Sequence, residues 1–289
     1  MIDSNTLFKI SNAETYNEKI FKNFIEKTYD LNLPSISGKL YHTLRVTKNC
    51  KELCKRLNLD ENLGTNIGLL HDFARFEQWI KYQCFVDYKT EDHGDMAVNM
   101  LFNQNYIDMF NIEDSHKPII YFAVKYHNKA KIDYDYICEC IDNNSIFKTT
   151  KTQPFNLDKR LIYTYCNIAR DGDKIDLINR IIAGEFKINY SNDGYTPNCL
   201  NQILNNQYVI IQDISTKLDR IFCFIGFLFD LNFSESFSLF SLNDFFNSLL
   251  IHYKNILTEN DFNFLKSILP NIKNQVINKF SLQTISLKI

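Results

Sequence analysis

Apolar residues recur three and four positions apart along most of this chain, and the strict alternation that is typical of strands is rare. This spacing places apolar side chains on one face of an α-helix, whereas a half-buried strand needs a period of two. Glycine and proline, which both disfavour helix interiors, are scarce, with 8 and 5 among 289 residues. We therefore expect an all-α fold, built as a helical bundle.

The apolar periodicity divides the chain into a series of helices. The first is expected to end before Pro34, because a proline disfavours helical backbone in the residue that precedes it. Asp60 suits the N-cap of the third helix, and Gly184 suits the end of a long later one. The predicted helices cover 13–29, 37–57, 60–82, 157–183, 200–233 and 242–256, with shorter ones that begin at His93 and Ser115 and a last one at the C-terminus. A polar stretch at 143–156 is predicted to be a loop.

Charge and composition limit the partners of the chain. The net charge of −2 and the pI near 6.3 argue against a general electrostatic attraction to long nucleic acids, which requires a basic surface. No apolar stretch approaches the roughly 20 residues that span a bilayer, and the first residues lack the pattern of a secretion signal. The 8 cysteines include no pair separated by two residues, so we expect reduced thiols. These features predict a cytoplasmic protein with neither a membrane nor a long nucleic acid as partner.

The dipeptide His71-Asp72 places an imidazole beside a carboxylate inside an apolar run that predicts a buried helix. Both groups are costly to bury unless something binds them, and a divalent metal ion binds both. Three other histidines lie near helix ends or on helices with apolar neighbours, and an acidic group follows on the long helix predicted at 157–183. These further candidates are His42, His93, His127, Asp171, Asp173 and Asp176.

Each candidate taken alone also has a structural interpretation. A single histidine on an apolar face is more often a hydrogen-bonded core residue than a ligand. Asp72 could cap a kink in the helix or pair with Arg75, one helical turn away, and Asp171 and Asp173 suit the solvated side of their helix. The residues taken singly therefore leave a metal site and a set of structural polar contacts open.

Taken in order, the residues resemble the HD superfamily of metal-dependent phosphohydrolases, whose pattern is a histidine, a His-Asp pair and a distant aspartate. The segment Leu70-His71-Asp72-Phe73-Ala74-Arg75-Phe76-Glu77 is similar to the His-Asp-Ile-Gly-Arg-Phe version of the motif. Later motifs of that group are matched by His93-Gly94, by Tyr126-His127-Asn128-Lys129 and by the run from Arg170 to Asp176. The resemblance is strong over 40–180, and it implies an HD-domain helical bundle with additional C-terminal helices.

The resemblance also implies a domain organisation. We expect one enlarged domain over 1–289, with an HD core at 35–185 and a helical extension at 186–289 that packs on the core. The segment Phe227-Leu228-Phe229-Asp230-Leu231-Asn232-Phe233 is similar to a C-terminal element of the same group. The Phe-rich C-terminal third leaves self-association into a homo-oligomer open.

A ligand set for a first metal ion follows from the resemblance. Its members would be His42, His71, Asp72 and one of Asp171 and Asp173. The tetrapeptide that begins at Gly172 matches the superfamily's pattern around the last ligand, so Asp173 is favoured.

Two further histidines, His93 and His127, match the additional ligands of the two-metal members, in which the aspartate of the His-Asp pair bridges both ions. One departure is Asn128, which stands where some cyclic-dinucleotide phosphodiesterases of the group have another histidine. Imidazole and carboxylate ligands suit Mn, Fe, Co, Ni or Zn, as one ion or two.

The resemblance implies hydrolysis by a water whose pKa the metal lowers. Asp72 and Arg75 are the candidate catalytic residues. Arg75 is chosen because its guanidinium lies one turn after His71 and matches two phosphate oxygens. Lys129 and Lys174 are weaker candidates for binding the substrate. We expect cleavage of a phosphomonoester or phosphodiester bond in a small nucleotide or related metabolite. Two alternatives stay open, a di-iron oxygenase of HD fold and a non-catalytic, metal-containing nucleotide sensor.

Overall fold

Twelve α-helices make up most of the chain that the structure describes. The computed structural model describes residues 14–142 and 158–286, and within these ranges it contains no β-strand and one isolated bridge, between Asn192 and Thr216. The predicted all-α fold is therefore confirmed. None of the helices in these ranges has both the length and the apolar character that crossing a membrane requires. The helices are α1 (Tyr16–Thr28), α2 (Pro34–Arg56), α3 (Glu61–Leu70), α4 (Arg75–Tyr82), α5 (His93–Val98), α6 (Lys117–Tyr126), α7 (Tyr134–Asp142), α8 (Lys159–Ile182), α9 (Pro197–Leu204), α10 (Lys217–Phe229), α11 (Leu242–Tyr253) and α12 (Glu259–Ser286).

The centre of the bundle is formed by α2, α3, α6 and α8. Helix α2 packs along both α3 and α8, and α8 also packs against α6. Two glycines bring these backbones together. A Cβ atom at Gly68 would lie 2.7 Å from the Cα of Thr47, and one at Gly172 would lie 2.4 Å from the Sγ of Cys50. A larger residue at Gly68 would push α3 away from the α2 backbone, whereas one at Gly172 would displace the buried Cys50 side chain between α8 and α2.

The predicted helix over 60–82 is interrupted at the His71-Asp72 pair, so the expectation of one continuous helix is wrong. Helix α3 ends at Leu70 and α4 begins at Arg75. The His71 imidazole donates from Nδ1 to the Gly68 carbonyl oxygen, 2.7 Å away. In a continuing helix that oxygen would accept from the N–H four residues later. The side chain competes for this acceptor, and the backbone turns at the pair.

The predicted helix over 200–233 is also wrong, because two helices, α9 and α10, occupy this region. Helix α9 is followed by Asn206 at a φ of 59°, which a continuing helix does not allow. A capping box opens α10. The Thr216 hydroxyl accepts from the Asp219 N–H and the Asp219 carboxylate accepts from the Thr216 N–H, each at 3.1 Å. The predicted loop at 143–156 lies outside the described residues.

The C-terminal helices attach to the end of α8. Ring nitrogen Nε2 of His252 in α11 lies 3.1 Å from the Ile182 carbonyl oxygen, and the Tyr253 hydroxyl donates to the Phe186 carbonyl oxygen at 3.1 Å. Helix α12 in turn reaches α10, where Lys279 donates to the Phe229 carbonyl oxygen at 2.5 Å. One continuous cluster of buried apolar side chains extends from α1 to α12.

Candidate metal centre

His71 and His127 are oriented by the backbones of the helices that they end. Nδ1 of His71 donates to the Gly68 carbonyl oxygen, and Nδ1 of His127, which follows α6, donates to the Val124 carbonyl oxygen, both at 2.7 Å. A carbonyl oxygen can only accept, so Nδ1 carries the proton in both rings. Nε2 therefore presents a lone pair in each neutral imidazole. Both side chains are buried, and Nε2 of His71 has no hydrogen-bond partner among the described residues.

His42 and His93 are oriented by carboxylates instead. Nδ1 of His42, in α2, lies 2.7 Å from Oδ2 of Asp176, which Arg45 also holds. Nδ1 of His93, the first residue of α5, lies 2.7 Å from Oδ2 of Asp87. A carboxylate that accepts from Nδ1 fixes the ring with its Nε2 pointing the other way, an arrangement common in metal-binding histidines.

All these Nε2 atoms converge on the buried carboxylate of Asp72. Its Oδ2 lies 3.4 Å from Nε2 of His42 and 3.4 Å from Nε2 of His71. Its Oδ1 lies 3.3 Å from Nε2 of His93 and 3.6 Å from Nε2 of His127. The carboxylate thus divides the imidazoles into two pairs, one pair at each oxygen.

Asp173 lies beside the first pair of imidazoles, and Asp171 does not. Oδ1 of Asp173 lies 3.2 Å from Nε2 of His42. Two residues turn a helix by about 200°, so Asp171 lies on the opposite side of α8. Its buried carboxylate accepts from the Asn232 N–H at 2.9 Å and from the Ser236 hydroxyl at 2.6 Å. The candidate ligand role of Asp171 is therefore corrected, since it anchors the segment after α10.

The acidic groups of the cluster keep their charge despite burial. Burial opposes ionisation of Asp72, but the Lys39 ammonium group beside it holds the pKa of its carboxyl group well below the usual value. Burial also opposes ionisation of Asp173, and the hydrogen bond with His42 lowers its pKa in the same way. Two ionised carboxylates next to one another, Asp72 buried and Asp173 partly exposed, attract a cation.

The imidazoles differ in how strongly they bind a proton. Burial and Lys39 oppose a charge on His42, yet the carboxylates around it raise its pKa to about 9. Burial lowers the pKa of His127 to about 4, so this ring is neutral near pH 7. A neutral ring with a free lone pair is the form in which histidine binds a metal ion.

These residues fit a divalent transition metal. His71 has a buried nitrogen without a protein partner, and the Nε2 atoms of His93 and His127 lie 2.8 Å apart. Lone pairs at that distance repel each other unless a cation or a proton lies next to them. Three of the candidates, His42, His71 and Asp173, have ligand atoms within 4.8 Å of one another, as do His71, Asp72 and His127. Mixed nitrogen and carboxylate donors suit Mn, Fe, Co, Ni or Zn.

The predicted substrate-binding lysines lie away from the centre. Nζ of Lys129 lies 2.7 Å from Oδ2 of Asp92 and 2.6 Å from Oδ2 of Asp95. Lys174 is buried and lies 2.9 Å from Oδ2 of Asp230. Neither lysine lines the cavity beside the cluster, so both assignments are corrected to structural ion pairs.

Arg75 lies at the cavity, as the predicted role requires, but much of its guanidinium is engaged. Nη1 donates to Gln78 at 2.6 Å, to the Phe85 carbonyl oxygen at 2.7 Å and to Asp87 at 3.0 Å. Nε lies 3.4 Å from Oδ1 of Asp72. Arg75 therefore ties the loop that carries Asp87 to the centre.

A cavity of about 510 Å³ opens next to the cluster. Its walls include residues that sequence reasoning did not select, namely Lys39, Phe85, Asp87, Leu177, Arg180 and Ile211. Lys39 lies three residues before His42 on α2, a spacing that puts both on one helix face and that was an available signal. Asp87 lies in a loop, where no periodicity marks it.

The fold and the site together are those of a helical-bundle protein with histidines and aspartates at its centre, in an arrangement suited to divalent metals. The family model of the HD domain matches residues 40–178, from α2 to α8. This part of the chain is therefore similar to the HD domain, a domain that is typical of metal-dependent phosphohydrolases. No curated protein and no solved structure matches the chain at a significant level.

Proposed function

We propose that this protein is a two-metal phosphohydrolase that cleaves a phosphomonoester or phosphodiester bond in a small nucleotide or related metabolite. The observation that carries the proposal is the convergence of paired imidazole Nε2 atoms on the two oxygens of Asp72. Such a carboxylate suits a bridge between two ions. His42, His71 and Asp173 would complete one ion's ligands.

The second ion would be held by His93 and His127 together with Oδ1 of Asp72. Asn128 does not add a ligand nitrogen. Its Nδ2 donates to Asp87 at 3.2 Å and to Asp92 at 3.0 Å, so it steadies the carboxylate that orients His93. The departure from histidine at this position is therefore compatible with a second ion.

Bound ions supply an activated water and neutralise charge on the phosphoryl oxygens. The chain's own residues would bind and orient the substrate. Asp72 stays ionised under the influence of the Lys39 ammonium group, and Arg75 holds the Phe85–Asp87 wall against the centre. A volume of about 510 Å³ suits a small metabolite in the size range of typical ligand pockets.

The test measures metal content and hydrolysis in the same preparations. Purified protein is analysed for Mn, Fe, Co, Ni and Zn, and then assayed with p-nitrophenyl phosphate, bis(p-nitrophenyl) phosphate and a panel of nucleotides. The double variant H71A/D72A should lose bound metal and hydrolysis together. H116A is the matched control, because His116 lies outside the cluster, with Nε2 3.7 Å from Asp60.

Four results would contradict the proposal. Wild-type protein without transition metal, or a double variant that keeps both metal and activity, would exclude the site. A mixed-valent iron signal in electron paramagnetic resonance without hydrolysis would identify an oxygenase. Tight nucleotide binding without turnover would identify a sensor.

A further inference from the structure

Lys39 is a charged cavity residue that the proposed ligand set does not use. It lies on α2, three residues before His42, and its side chain is 21% exposed. Its Nζ lies 2.6 Å from Oδ2 of Asp72. Within residues 14–142 and 158–286, Asp72 is its one ion-pair partner. Lys39 thus combines contact with the centre and access to the cavity.

The other cations of the cavity wall are held by protein groups. Arg75 uses Nη1 in bonds to Gln78, the Phe85 carbonyl oxygen and Asp87. Arg180 donates to Glu185 at 2.8 Å, and its guanidinium lies 4.7 Å from the ring centre of Phe186. Among the described residues of the cavity wall, Lys39 differs from both arginines in that its one ion pair is with the central carboxylate, at one oxygen of Asp72.

That oxygen is also the one nearest to the first pair of imidazoles. Oδ2 of Asp72 lies 3.4 Å from Nε2 of both His42 and His71. An ammonium group and a divalent ion that share one carboxylate oxygen repel each other. The flexible four-carbon stem of lysine allows Nζ to move into the cavity. The ring of Phe85, 5.6 Å from Nζ, bounds this movement on one side.

We propose that Lys39 binds the phosphoryl group of the substrate and makes the site selective for dianionic phosphomonoesters over monoanionic phosphodiesters. The inference rests on the proposed function and adds a substrate class to it. Coulombic attraction scales with charge, so the ammonium stabilises a bound dianion more than a monoanion. Removal of Lys39 therefore weakens monoester binding more than diester binding.

The experiment compares Lys39→Met with Lys55→Met in the full chain loaded with Mn²⁺. Lys55 is an exposed residue near the other end of α2 and serves as the matched control. For Lys39→Met, kcat/KM for p-nitrophenyl phosphate should fall about tenfold or more, the size expected for a lost hydrogen bond to a charged group. The value for bis(p-nitrophenyl) phosphate should fall much less, and Lys39→Arg should restore most of the selectivity.

Two binding measurements separate this role from a structural one. Calorimetry should show weaker binding of inorganic phosphate to Mn²⁺-loaded Lys39→Met, with little change for dimethyl phosphate. Affinity for Mn²⁺ should not fall, because the substitution removes a competing cation. Equal losses for both esters and both phosphates, or a loss of Mn²⁺ affinity, would overturn the assignment.

Failure of the two proposals can be told apart. Wild-type protein that binds Mn²⁺ and phosphate without hydrolysing either ester contradicts the proposed function, while the calorimetry still decides the role of Lys39. Wild-type protein that binds neither Mn²⁺ nor phosphate contradicts both proposals. Hydrolysis whose selectivity is unchanged in Lys39→Met contradicts only the inference about Lys39.

Discussion

The Nε2 atoms of His93 and His127 lie 2.8 Å apart, and each ring has its Nδ1 engaged elsewhere. Burial lowers the pKa of His127 to about 4, so a proton on that ring is costly near pH 7. His93 and His127 would hold a metal ion between them, which would remove the repulsion between the two lone pairs without protonating either ring.

Replacement of His93 by alanine should therefore reduce the bound metal to about half of the wild-type stoichiometry, because the pair of ligands at Oδ1 of Asp72 is broken while His42, His71 and Asp173 remain. Elemental analysis of the folded variant measures this directly. His252→Ala, on the distant α11, should leave the stoichiometry unchanged. An unaltered metal content in His93→Ala would argue against a second ion.

Asp173→Asn and Asp171→Asn should affect different properties, metal affinity in the first variant and stability in the second. Asp173→Asn removes a carboxylate from the centre and should weaken metal affinity, on the order of 10–100-fold, with a small change in stability. Asp171→Asn should keep the metal but lower the free energy of unfolding by about 1–3 kcal/mol, because the amide cannot accept all the buried hydrogen bonds that the carboxyl oxygens of Asp171 accept. Metal titration and urea unfolding of both variants measure the difference, and a loss of metal from folded Asp171→Asn would contradict the assignment.

Asp87 should act as a positioning residue for His93. Its Oδ2 lies 2.7 Å from Nδ1 of that ring, so Asp87→Asn should weaken metal binding by about 10-fold or more without removing a ligand. Asp95→Asn is the control, because Asp95 lies on α5 with His93 but pairs with Lys125 and Lys129 at the surface. Equal metal affinity in the two variants would show that the Asp87 contact is dispensable.

Asp230 should stabilise the fold in a pH-dependent way. Burial raises the pKa of Asp230, but Lys174 and Arg170 lower it by a larger amount, so the net pKa lies below the usual value. A carboxylate of this kind contributes stability above the ordinary pKa of about 3.9 and loses that contribution as the pH falls through its folded value. Asp230→Asn should therefore cost about 2 kcal/mol at pH 7 and progressively less in acid.

Urea unfolding between neutral pH and about pH 3 measures this convergence of the two proteins. Asp193→Asn, which removes an exposed ion pair with Lys217, should change stability by less than about 1 kcal/mol. A difference between wild type and Asp230→Asn that does not shrink in acid would contradict the assignment.

The fold class and most of the helices were predictable because apolar spacing reports which face of a helix is buried. The break after Leu70 was not, because it depends on a bond from the His71 side chain to a backbone oxygen, which no periodicity records. The gap between α9 and α10 did carry a signal, the Thr216-x-x-Asp219 pattern of a capping box, which the apolar run that follows it obscured.

At the centre, ligand types in a recognisable order led to the histidines and to Asp173. Their orienting groups were harder to predict, because Asp87 is a loop residue and the contact between His42 and Asp176 joins α2 to α8. Lys39 was missed because a lysine near a helix start is usually solvated. Its contact with Asp72 arises only when α2 and the turn after α3 are packed together.

The orienting contacts also differ in how far they reach along the chain. His71 and His127 each bond a carbonyl oxygen three residues back, whereas His42 depends on Asp176, 134 residues away. The rings of His71 and His127 can therefore be oriented by contacts within their own helices, without the packing of the bundle. The orientation of the His42 ring is set only when α8 packs on α2, so the first pair of imidazoles depends on tertiary packing.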